Sequence, residues 1–390
     1  MSTVARAHGV ALGDVLAEVD TRAGTTWENL TVLSLTKDRG LIPQTERFKH
    51  RVATEDVSKY KVVKPGQLVY NPYVLWEGAI HTLNREEPGL VSPVYPVWEA
   101  HSVDPWYLDF LLRSPQLIAA YERMASGTVK RRRSISRRDF LSIEVELPSL
   151  TEQRRIARIV STMQQSLATA KSVSSMKEKL HAATASSLFE PYFEGVWPVH
   201  PLGEITLKRQ YGMSLKGNTA GRLPILRMTN LSDGVVTFEK LQYVDPSDDE
   251  IERYLLHPGD LLFNRTNSPE LVGKIGILEQ DVPSVFASYL IRLVCDTDRI
   301  LPEFLNVFLN LPTVQLILRG MATRGVSQAN ISASTLATLN VPTPSLDSQK
   351  RIAYALSAIR LSRSASDAET KALATIYSTS QATLFAEVSS

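Results

Sequence analysis

The chain of 390 residues is 43% hydrophobic and carries a formal net charge of +2 at pH 7. It is long enough for roughly two or three domains, and its near-neutral charge means that any surface for a polyanion must be local. A single cysteine, Cys295, excludes an internal disulfide and a cysteine-built zinc site. Because the sequence shows neither a charged-then-apolar leader nor a run of about 20 apolar residues, we expect a cytoplasmic protein without a membrane span.

Residues 1–146 are predicted to form a first globular segment in which strands come before helices. The better strand candidates are Val62–Tyr70, which contains a Pro-Gly turn, and Ile80–Leu83. A helical stretch from Trp106 to Met124 follows them. Pro115 should split this stretch into two shorter helices, because proline is not tolerated in a helix interior. The segment is therefore expected to be α+β.

A long helix is predicted for residues 147–192. Pro148 and Pro191 bracket about 40 residues without proline or glycine, which at roughly 1.5 Å per residue form a rod of about 60 Å. Ser149 followed by Glu152 has the pattern of a capping box. Apolar residues then step by four and three along one stripe, at Ile156, Val160, Met163, Leu167 and Ala170.

The second half of the chain repeats this plan. A second α+β segment is predicted for residues 193–340 and a second long helix for residues 341–390. The helical stretch Pro302–Met321 of this segment should be split at Pro312. The better strand candidates are Leu223–Arg227, Leu261–Phe263, Gly273–Leu278 and Leu290–Val294.

The two halves are related by duplication. A constant offset of 196 residues separates Gln153 from Gln349, Ile156 from Ile352, Leu188 from Leu384, and Ser92 from Ser288. Two rods that each carry one apolar stripe are expected to pack against each other, and to run antiparallel because a globular segment lies between them. The alternative is that each rod packs on its own globular segment.

This arrangement resembles the specificity subunit of type I restriction-modification systems over essentially the whole chain. The resemblance rests on the helix entry Leu147–Ile156, echoed at Pro344–Ile352, on the long helices, and on the strand Pro65–Asn71, which recurs at Pro258–Asn264. The second entry departs from the first by having Asp347-Ser348 in place of Thr151-Glu152, which weakens its helix cap.

The resemblance implies two target-recognition globular domains separated by two long antiparallel helices packed as a coiled coil. Each domain would read one half of a bipartite, asymmetric DNA site, and the chain itself would not be an enzyme. The helices would act as a ruler for the unread spacer, since half-sites read from one face of a duplex lie about one turn, ~34 Å, apart.

The resemblance also implies partners. They are double-stranded DNA, two copies of an adenine methyltransferase subunit that dock on the paired helices, and motor-nuclease restriction subunits. S-adenosylmethionine, magnesium and ATP would belong to those partners and not to this chain. We predict partner contacts at the helix entries, at Gln153, Ile156, Gln349 and Ile352.

Candidate DNA contacts fall into two groups. Cations suited to phosphates are Lys130, Arg131, Arg132, Arg133, Arg137, Arg227 and Arg324. Side chains that could contact base edges are Asn71, Tyr73, Trp76, Asn264, Arg265 and Asn267. For each of these residues the alternative is a solvated loop or a satisfied polar turn.

Other functions are less well supported by the sequence. Asn71-Pro72-Tyr73 lacks the second proline of the adenine methyltransferase motif Asn-Pro-Pro-Tyr, and no glycine-rich loop follows a strand. The histidines are scattered without metal-ligand spacing. Asp248-Asp249-Glu250 is compatible with a two-metal nuclease, but we expect an exposed turn there. The remaining alternative is a protein-binding coiled-coil scaffold without DNA specificity.

Overall fold

The computed structural model describes residues 8–27, 29–47, 56–125, 133–268, 271–324 and 328–386. The chain divides into two compact units. Unit 1 consists of Met1–Lys171 and Ala368–Ser390, and unit 2 of Ser172–Asp367. Each long helix therefore contributes its first turns to one unit and its last turns to the other. The division into four segments made from the sequence follows the helix ends instead, and it remains a prediction.

Two long helices, Leu150–Leu188 and Leu346–Ala386, have 39 and 41 residues. Both were predicted, and both are confirmed. The other helices of unit 1 are Leu12–Val15, Gln44–Arg47, Leu75–Glu77 (3-10), Pro105–Leu112, Pro115–Met124 and Arg137–Leu141. The strands of unit 1 are His8–Ala11, Leu16–Val19, Leu33–Leu35, Leu41–Pro43, Lys61–Val63, Leu68–Tyr70, Ile80–Thr82, Gly89–Val91, Val97–Ala100 and Glu144–Leu147.

Unit 2 repeats the mixture of short helices and strands. Its other helices are Glu190–Phe193, Leu202–Glu204 (3-10), Met228–Asn230 (3-10), Asp248–Tyr254, Pro302–Leu309, Pro312–Met321 and Ala333–Ala337. Its strands are Val199–Pro201, Thr206–Tyr211, Leu223–Leu226, Leu231–Ser232, Val235–Val236, Gln242–Val244, Leu261–Asn264, Thr266–Asn267, Ile275–Ile277, Val285–Phe286, Leu290–Cys295, Thr323–Arg324, Ala329–Asn330 and Asn340–Pro342. The helix breaks predicted at Pro115 and Pro312 are both present.

The two units share the order of their central sheet. In unit 1 four antiparallel neighbours lie in the order Leu16–Val19, Val97–Ala100, Leu68–Tyr70 and Ile80–Thr82. In unit 2 the same positions are taken by Thr206–Tyr211, Leu290–Cys295, Leu261–Asn264 and Ile275–Ile277. The duplication inferred from a few matched residues therefore extends to the topology.

The strand predicted for Val62–Tyr70 is two strands, Lys61–Val63 and Leu68–Tyr70. The Pro-Gly turn between them explains the break, because Gly66 has a φ of +82°, in the region that favours glycine. Gly259 adopts a φ of +90° at the matching turn of unit 2. The same turn thus opens the central strand of both sheets.

Phenylalanines at the ends of the long helices complete the two cores. Phe385, near the end of the second helix, is fully buried in unit 1 with its ring 5.7 Å from that of Tyr107. Phe189, which follows the first helix, is fully buried in unit 2 with its ring 5.5 Å from that of Phe304. Burial of one such side chain stabilises a fold by roughly 1.5–3 kcal/mol. Each core therefore depends on the last turns of a helix that begins in the other unit.

The apolar stripe of each helix begins inside its own unit. Ile156 and Val160 join the core of unit 1, and Ile352 and Leu356 join the core of unit 2. The alternative reading, in which a rod packs on its own globular segment, is thus correct for these first turns. The prediction that the whole stripe faces the other rod is wrong there, because the α+β cores offer the nearer apolar surface.

In unit 2 the two long helices also meet each other. Ser174 hydrogen-bonds Asp367, and Lys177 Nζ donates to the Ser362 carbonyl oxygen at 3.1 Å and to Ser366. The residue numbers fall along one helix as they rise along the other, so the helices run antiparallel, as predicted. Polar contacts hold this part of the pair, since Ser366 stands where the first helix has an alanine.

Only half of the predicted capping box forms. Ser149 Oγ accepts the backbone N–H of Glu152 at 3.3 Å. The Glu152 carboxylate does not complete the box, because it pairs with Arg155 at 2.6 Å.

No single helix among the described residues is long and apolar enough to cross a membrane, although the bent pair Pro302–Leu309 and Pro312–Met321 would meet that criterion if taken together.

Near the start of each long helix, a buried glutamine hydrogen-bonds to the unit in which that helix begins. Gln153 is 2% exposed; its Oε1 accepts the backbone N–H of Asp104 at 2.8 Å, and its Nε2 donates to the Pro148 carbonyl oxygen at 2.8 Å. Gln349 is 0% exposed, and its Oε1 accepts the backbone N–H of Leu301 at 2.8 Å. Asp104 and Leu301 are the N-cap residues of matching helices in the two units.

These contacts correct the predicted partner site. The side-chain amides of Gln153 and Gln349 form hydrogen bonds within their own units. Ile156 and Ile352 are each only 5% exposed. A partner subunit cannot reach side chains that the core covers. The four residues recur in both halves because they fix the helix entries.

We predict that Gln153→Ala and Gln349→Ala each lower the free energy of unfolding by about 1 to 3 kcal/mol, since each leaves buried backbone groups without a partner. Chemical denaturation of the purified chain measures the effect. The control is Gln165→Ala, at an exposed position of the first long helix. Unchanged stability in both buried variants would contradict the anchoring role.

Candidate nucleic-acid interface

Unit 1 has a cleft of about 730 Å³ beside the end of the strand Leu68–Tyr70. Asn71, which follows that strand, lines the cleft. Its Nδ2 donates to the Tyr95 hydroxyl at 3.1 Å, and its Oδ1 accepts the backbone N–H of Tyr73 at 3.1 Å. Burial raises the pKa of Tyr95, so this hydroxyl stays protonated at neutral pH. The amide of Asn71 is therefore held in one orientation at the cleft wall.

Ion pairs neutralise most of the charge around this cleft. Lys37 lies 3.2 Å from Glu77, and Arg39 lies 2.5 Å from Glu46. Arg47 donates to a backbone carbonyl oxygen at 2.8 Å. Asp38 also lines the cleft, and the other polar lining residues are neutral, namely Ser34, Thr36, Gln44, Tyr60, Asn71, Ser92 and Tyr95.

Tyr73 and Trp76 lie close to Asn71 in sequence but in different surroundings. Tyr73 is exposed, whereas Trp76 is half-buried against the core of unit 1. The guanidinium carbon of Arg133 lies 5.3 Å from the centre of the Trp76 ring. Arg133 also donates to the carbonyl oxygens of Glu122, at 2.6 Å, and Ala125. Arg133 thus fixes the end of a helix, which argues against the phosphate contact predicted for it.

The rest of the predicted basic run is placed only in part. Lys130, Arg131 and Arg132 lie outside the described residues. Arg137 Nη1 lies 2.7 Å from a carboxylate oxygen of Glu18, and its side chain is about half exposed. A phosphate contact by Arg137 would have to compete with this ion pair, and it remains a prediction.

Unit 2 has a smaller cleft, of about 420 Å³. Its polar and aromatic lining residues include Ser214, Lys216, Arg227, Gln242, Ser288 and Tyr289. No carboxylate is found among the described residues that line it. Arg227 Nη2 donates to the Lys240 carbonyl oxygen at 2.9 Å, while its Nε is buried without a hydrogen-bond partner among the described residues. This cleft is therefore electropositive.

Asn264 is not a base contact in this structure. It is 0% exposed, and its Nδ2 donates to the Leu271 carbonyl oxygen at 3.3 Å. Its backbone N–H donates to the Lys274 carbonyl oxygen, and its own carbonyl oxygen accepts the N–H of Gly273. A side chain without exposed surface cannot reach a base. We correct its assignment to that of a residue that shapes the loop carrying Arg265.

Arg265 lies at the surface beside the unit 2 cleft. Its guanidinium carbon is 4.7 Å from the centre of the Tyr211 ring. Its Nη1 donates to the carbonyl oxygen of Ser288 at 3.4 Å, and Ser288 lines the cleft. The backbone N–H of Arg265 donates to the Tyr289 carbonyl oxygen at 3.1 Å. Folding therefore places Arg265 beside Ser288 and Tyr289, which line the same cleft as Arg227.

Asn267 and Arg324 belong to one small sheet. The strand Thr266–Asn267 pairs with Ala329–Asn330, which also pairs with Thr323–Arg324. Asn267 Nδ2 lies 3.3 Å from Met228 Sδ. The backbone of Arg324 is in this sheet, but its side chain is outside the described part of the chain. The structure thus places the segments of two predicted residues, Asn267 and Arg324, on either side of one strand.

The groups considered for enzymatic chemistry have structural roles. Asp248, Asp249 and Glu250 form the first turn of the helix Asp248–Tyr254 instead of the expected exposed turn. Ser247 and Glu250 form a reciprocal capping box, which explains the difference. Within the described ranges no three histidine, cysteine or acidic residues are grouped to hold a metal. Burial raises the pKa of Cys295 to about 12, so its thiol is not ionised at neutral pH.

Several residues of these sites could not be found from the sequence. Tyr95 lines the unit 1 cleft, Gln242 and Tyr289 line the unit 2 cleft, and Tyr211 lies against Arg265. One signal was present, because Ser92 and Ser288 recur at the constant offset and line the clefts of unit 1 and unit 2. No local pattern connects Tyr211 with Arg265.

Comparison with known proteins gives matches in sequence and in structure. Residues 197–373 match the family model of the type I restriction modification DNA specificity domain. The chain is 33% identical over 164 residues to a putative type I restriction enzyme MjaX specificity subunit of Methanocaldococcus jannaschii, covering 41% of this chain and 39% of that protein. It is 26% identical over 228 residues to the type I restriction enzyme EcoKI specificity subunit of Escherichia coli, covering 54% and 49%. The matches thus span less than half the length of either relative.

The fold extends the similarity to the whole chain. The crystal structure of a type I restriction-modification S subunit from M. genitalium matches with a TM-score of 0.66 and 14% identity, over 99% of this chain and 97% of that one. Both curated relatives are named as specificity subunits. Residues 197–373 thus match the type I restriction modification DNA specificity domain, and the fold of the whole chain is like that of a solved type I restriction-modification S subunit.

Proposed function

We propose that the chain is the DNA-recognition subunit of a type I restriction-modification complex and that each unit reads one half of a bipartite, asymmetric site. One observation carries the proposal. The same four-strand sheet order in both units supports two clefts that differ in size and in charge. A shared frame with unlike clefts suits the reading of two unlike sequences.

The chemistry of each cleft suits base edges in a different way. The unit 1 cleft offers Asn71 and Gln44, whose amides can pair with the donor and acceptor of adenine. The unit 2 cleft is bordered by Arg227 and Arg265, whose paired N–H groups match two acceptors. Residues of this kind on loops held by a rigid sheet can read sequence while other cations hold the phosphates.

Partner subunits complete the proposed activity. Two adenine methyltransferase subunits and the restriction subunits would bind this chain, and they would supply the sites for S-adenosylmethionine, magnesium and ATP. A stripe on the first long helix supports docking there in unit 2, since Val173, Met176 and Leu180 lie on one face and are exposed, Met176 by 67% and Leu180 by 55%. This stripe replaces the buried helix entries as the proposed partner surface.

The main alternative is a scaffold whose units bind protein instead of DNA. The electropositive cleft of unit 2 favours DNA over this alternative. Direct methyl transfer by the chain is disfavoured because Asn71-Pro72-Tyr73 lacks the second proline of the adenine methyltransferase motif.

We predict that exchanging Leu12–Val145 for the same segment of a relative changes one half of the methylated site. The other half and the spacer should stay the same, because unit 2 is untouched. Sequencing of methylated adenines in cells that carry the exchanged chain and its methyltransferase gives the result. A change in both halves would contradict separate reading by the two units.

We also predict that binding of the assembled methyltransferase complex to its cognate duplex weakens at least about ten-fold between 50 and 200 mM salt, because phosphate contacts release counterions. Lys216→Ala should reduce the slope of log affinity against log salt by about 1. Lys208→Ala, an exposed lysine outside the cleft lining, is the matched control. A DNA affinity that changes neither with salt concentration nor with DNA sequence would favour the protein-binding scaffold.

A further inference from the structure

We propose that Arg265 and Tyr211 form a guanine-reading clamp in unit 2, in which Arg265 contacts the base and Tyr211 is a positioning residue. The inference rests on the proposed function and deepens it by naming the class of base that this unit reads. Arg265 and Tyr211 are far apart in sequence, and their stacking is a product of the fold.

The tyrosine ring is fixed before any ligand arrives. Tyr211 ends the strand Thr206–Tyr211, where it pairs with Ile291 of the neighbouring strand. Its hydroxyl oxygen accepts the backbone N–H of Ala333 at 2.8 Å. The next residue, Gly212, packs so closely on the backbone of Phe286 that a Cβ atom would lie 2.2 Å from its carbonyl oxygen. The strand, the hydroxyl and the close backbone approach together hold the ring in place.

The guanidinium of Arg265 is oriented by this ring and not by an acid. Its central carbon lies 4.7 Å from the ring centre, within the range of a cation–π contact. Among the described residues, no carboxylate forms an ion pair with Arg265 or Arg227, and both Nε atoms are buried without a hydrogen-bond partner. The contact from Nη1 to Ser288 is long, at 3.4 Å. Hydrogen-bonding capacity of the terminal nitrogens therefore remains for a ligand.

Guanine is the base whose edge fits this group. Its O6 and N7 are two adjacent acceptors in the major groove, and they match the two terminal nitrogens of an arginine that approaches end-on. Adenine and cytosine present an amino donor on the same edge, and thymine offers one acceptor beside a methyl group. A guanidinium plane held against a tyrosine ring has lost much of its freedom, so less entropy is lost on contact.

The unit 1 cleft provides the contrast. Two of its three lining cations, Lys37 and Arg39, are paired with carboxylates, and its central candidate, Asn71, is an amide. The unit 2 cleft has no carboxylate among its described lining residues. We therefore assign the guanine contact to the half-site that unit 2 reads.

The test uses the chain assembled with its methyltransferase partner. Selection from randomised duplexes by the wild-type complex first defines the two half-sites, and it should find a guanine at one position that depends on unit 2. Arg265→Lys and Tyr211→Leu should relax the choice at that position alone and weaken cognate binding by roughly 5- to 150-fold. Tyr211→Phe keeps the ring and should rescue the guanine preference that Tyr211→Leu loses.

A change in the DNA avoids any effect of the variants on folding. Replacing that guanine by 7-deazaguanine removes the N7 acceptor but keeps the base pair. It should weaken the wild-type complex about ten-fold and leave Arg265→Ala unaffected, because that variant has already lost the contact. The control variant is Arg222→Ala, whose guanidinium pairs with Asp248 and does not line the cleft; it should respond to 7-deazaguanine like the wild type.

The outcomes separate this inference from the proposed function. If Arg265→Lys weakens DNA binding equally on every sequence, Arg265 contacts phosphate and not a base. If the affinity of the wild-type complex is unchanged by 7-deazaguanine, Arg265 does not contact the N7 edge of a guanine. Either result overturns the clamp and leaves DNA reading by the chain intact. Failure of the wild-type complex to select any sequence would instead overturn the proposed function.

Discussion

Burial of one phenylalanine at the end of each long helix is the interaction on which both units depend. Phe385 closes the core of unit 1 beside Tyr107, and Phe189 closes the core of unit 2 beside Phe304. The core of unit 1 therefore contains residues from near both ends of the chain, from Leu12 to Val160 and from the end of the second long helix. Its central sheet, and the cleft that this sheet carries, rest on a core that cannot be completed until the last helix is in place. The helices are for this reason structural parts of the units and not only connections between them.

The residues that recur in both halves turn out to build the frame. Gln153 and Gln349 accept the backbone N–H of the N-cap residues of matching helices, Gly66 and Gly259 turn the chain into matching strands, and Asn264 shapes a loop from a buried position. Duplication preserves what the packing of both copies requires. Three repeated positions, Asn71, Ser92 and Ser288, also line the clefts. The repeat within the chain thus identifies the frame and part of each cleft wall.

The two clefts show how one frame can support different recognition chemistry. In unit 1 Lys37 and Arg39 pair with carboxylates, and amide and hydroxyl side chains supply the neutral polar lining. In unit 2 the lining holds cations without described carboxylates, and an aromatic ring orients the arginine next to them. An arginine without a carboxylate partner offers only N–H donors to a ligand, whereas a side-chain amide offers a donor group and an acceptor group. The proposed difference between half-sites follows from this difference in side chains.

The sequence by itself determined the long helices, the helix breaks at Pro115 and Pro312, several of the buried strands and the duplication, because these follow from local rules of backbone geometry and apolar spacing. It also pointed to Arg265 and Arg227 as polar candidates beside buried strands. Only the tertiary structure decided that Gln153 bonds a residue 49 positions away, that Ile156 faces its own core, that Asn264 is buried, and that Tyr211 lies against Arg265. Such pairings are set by which surfaces become neighbours when the cores close, and no spacing along the chain encodes them.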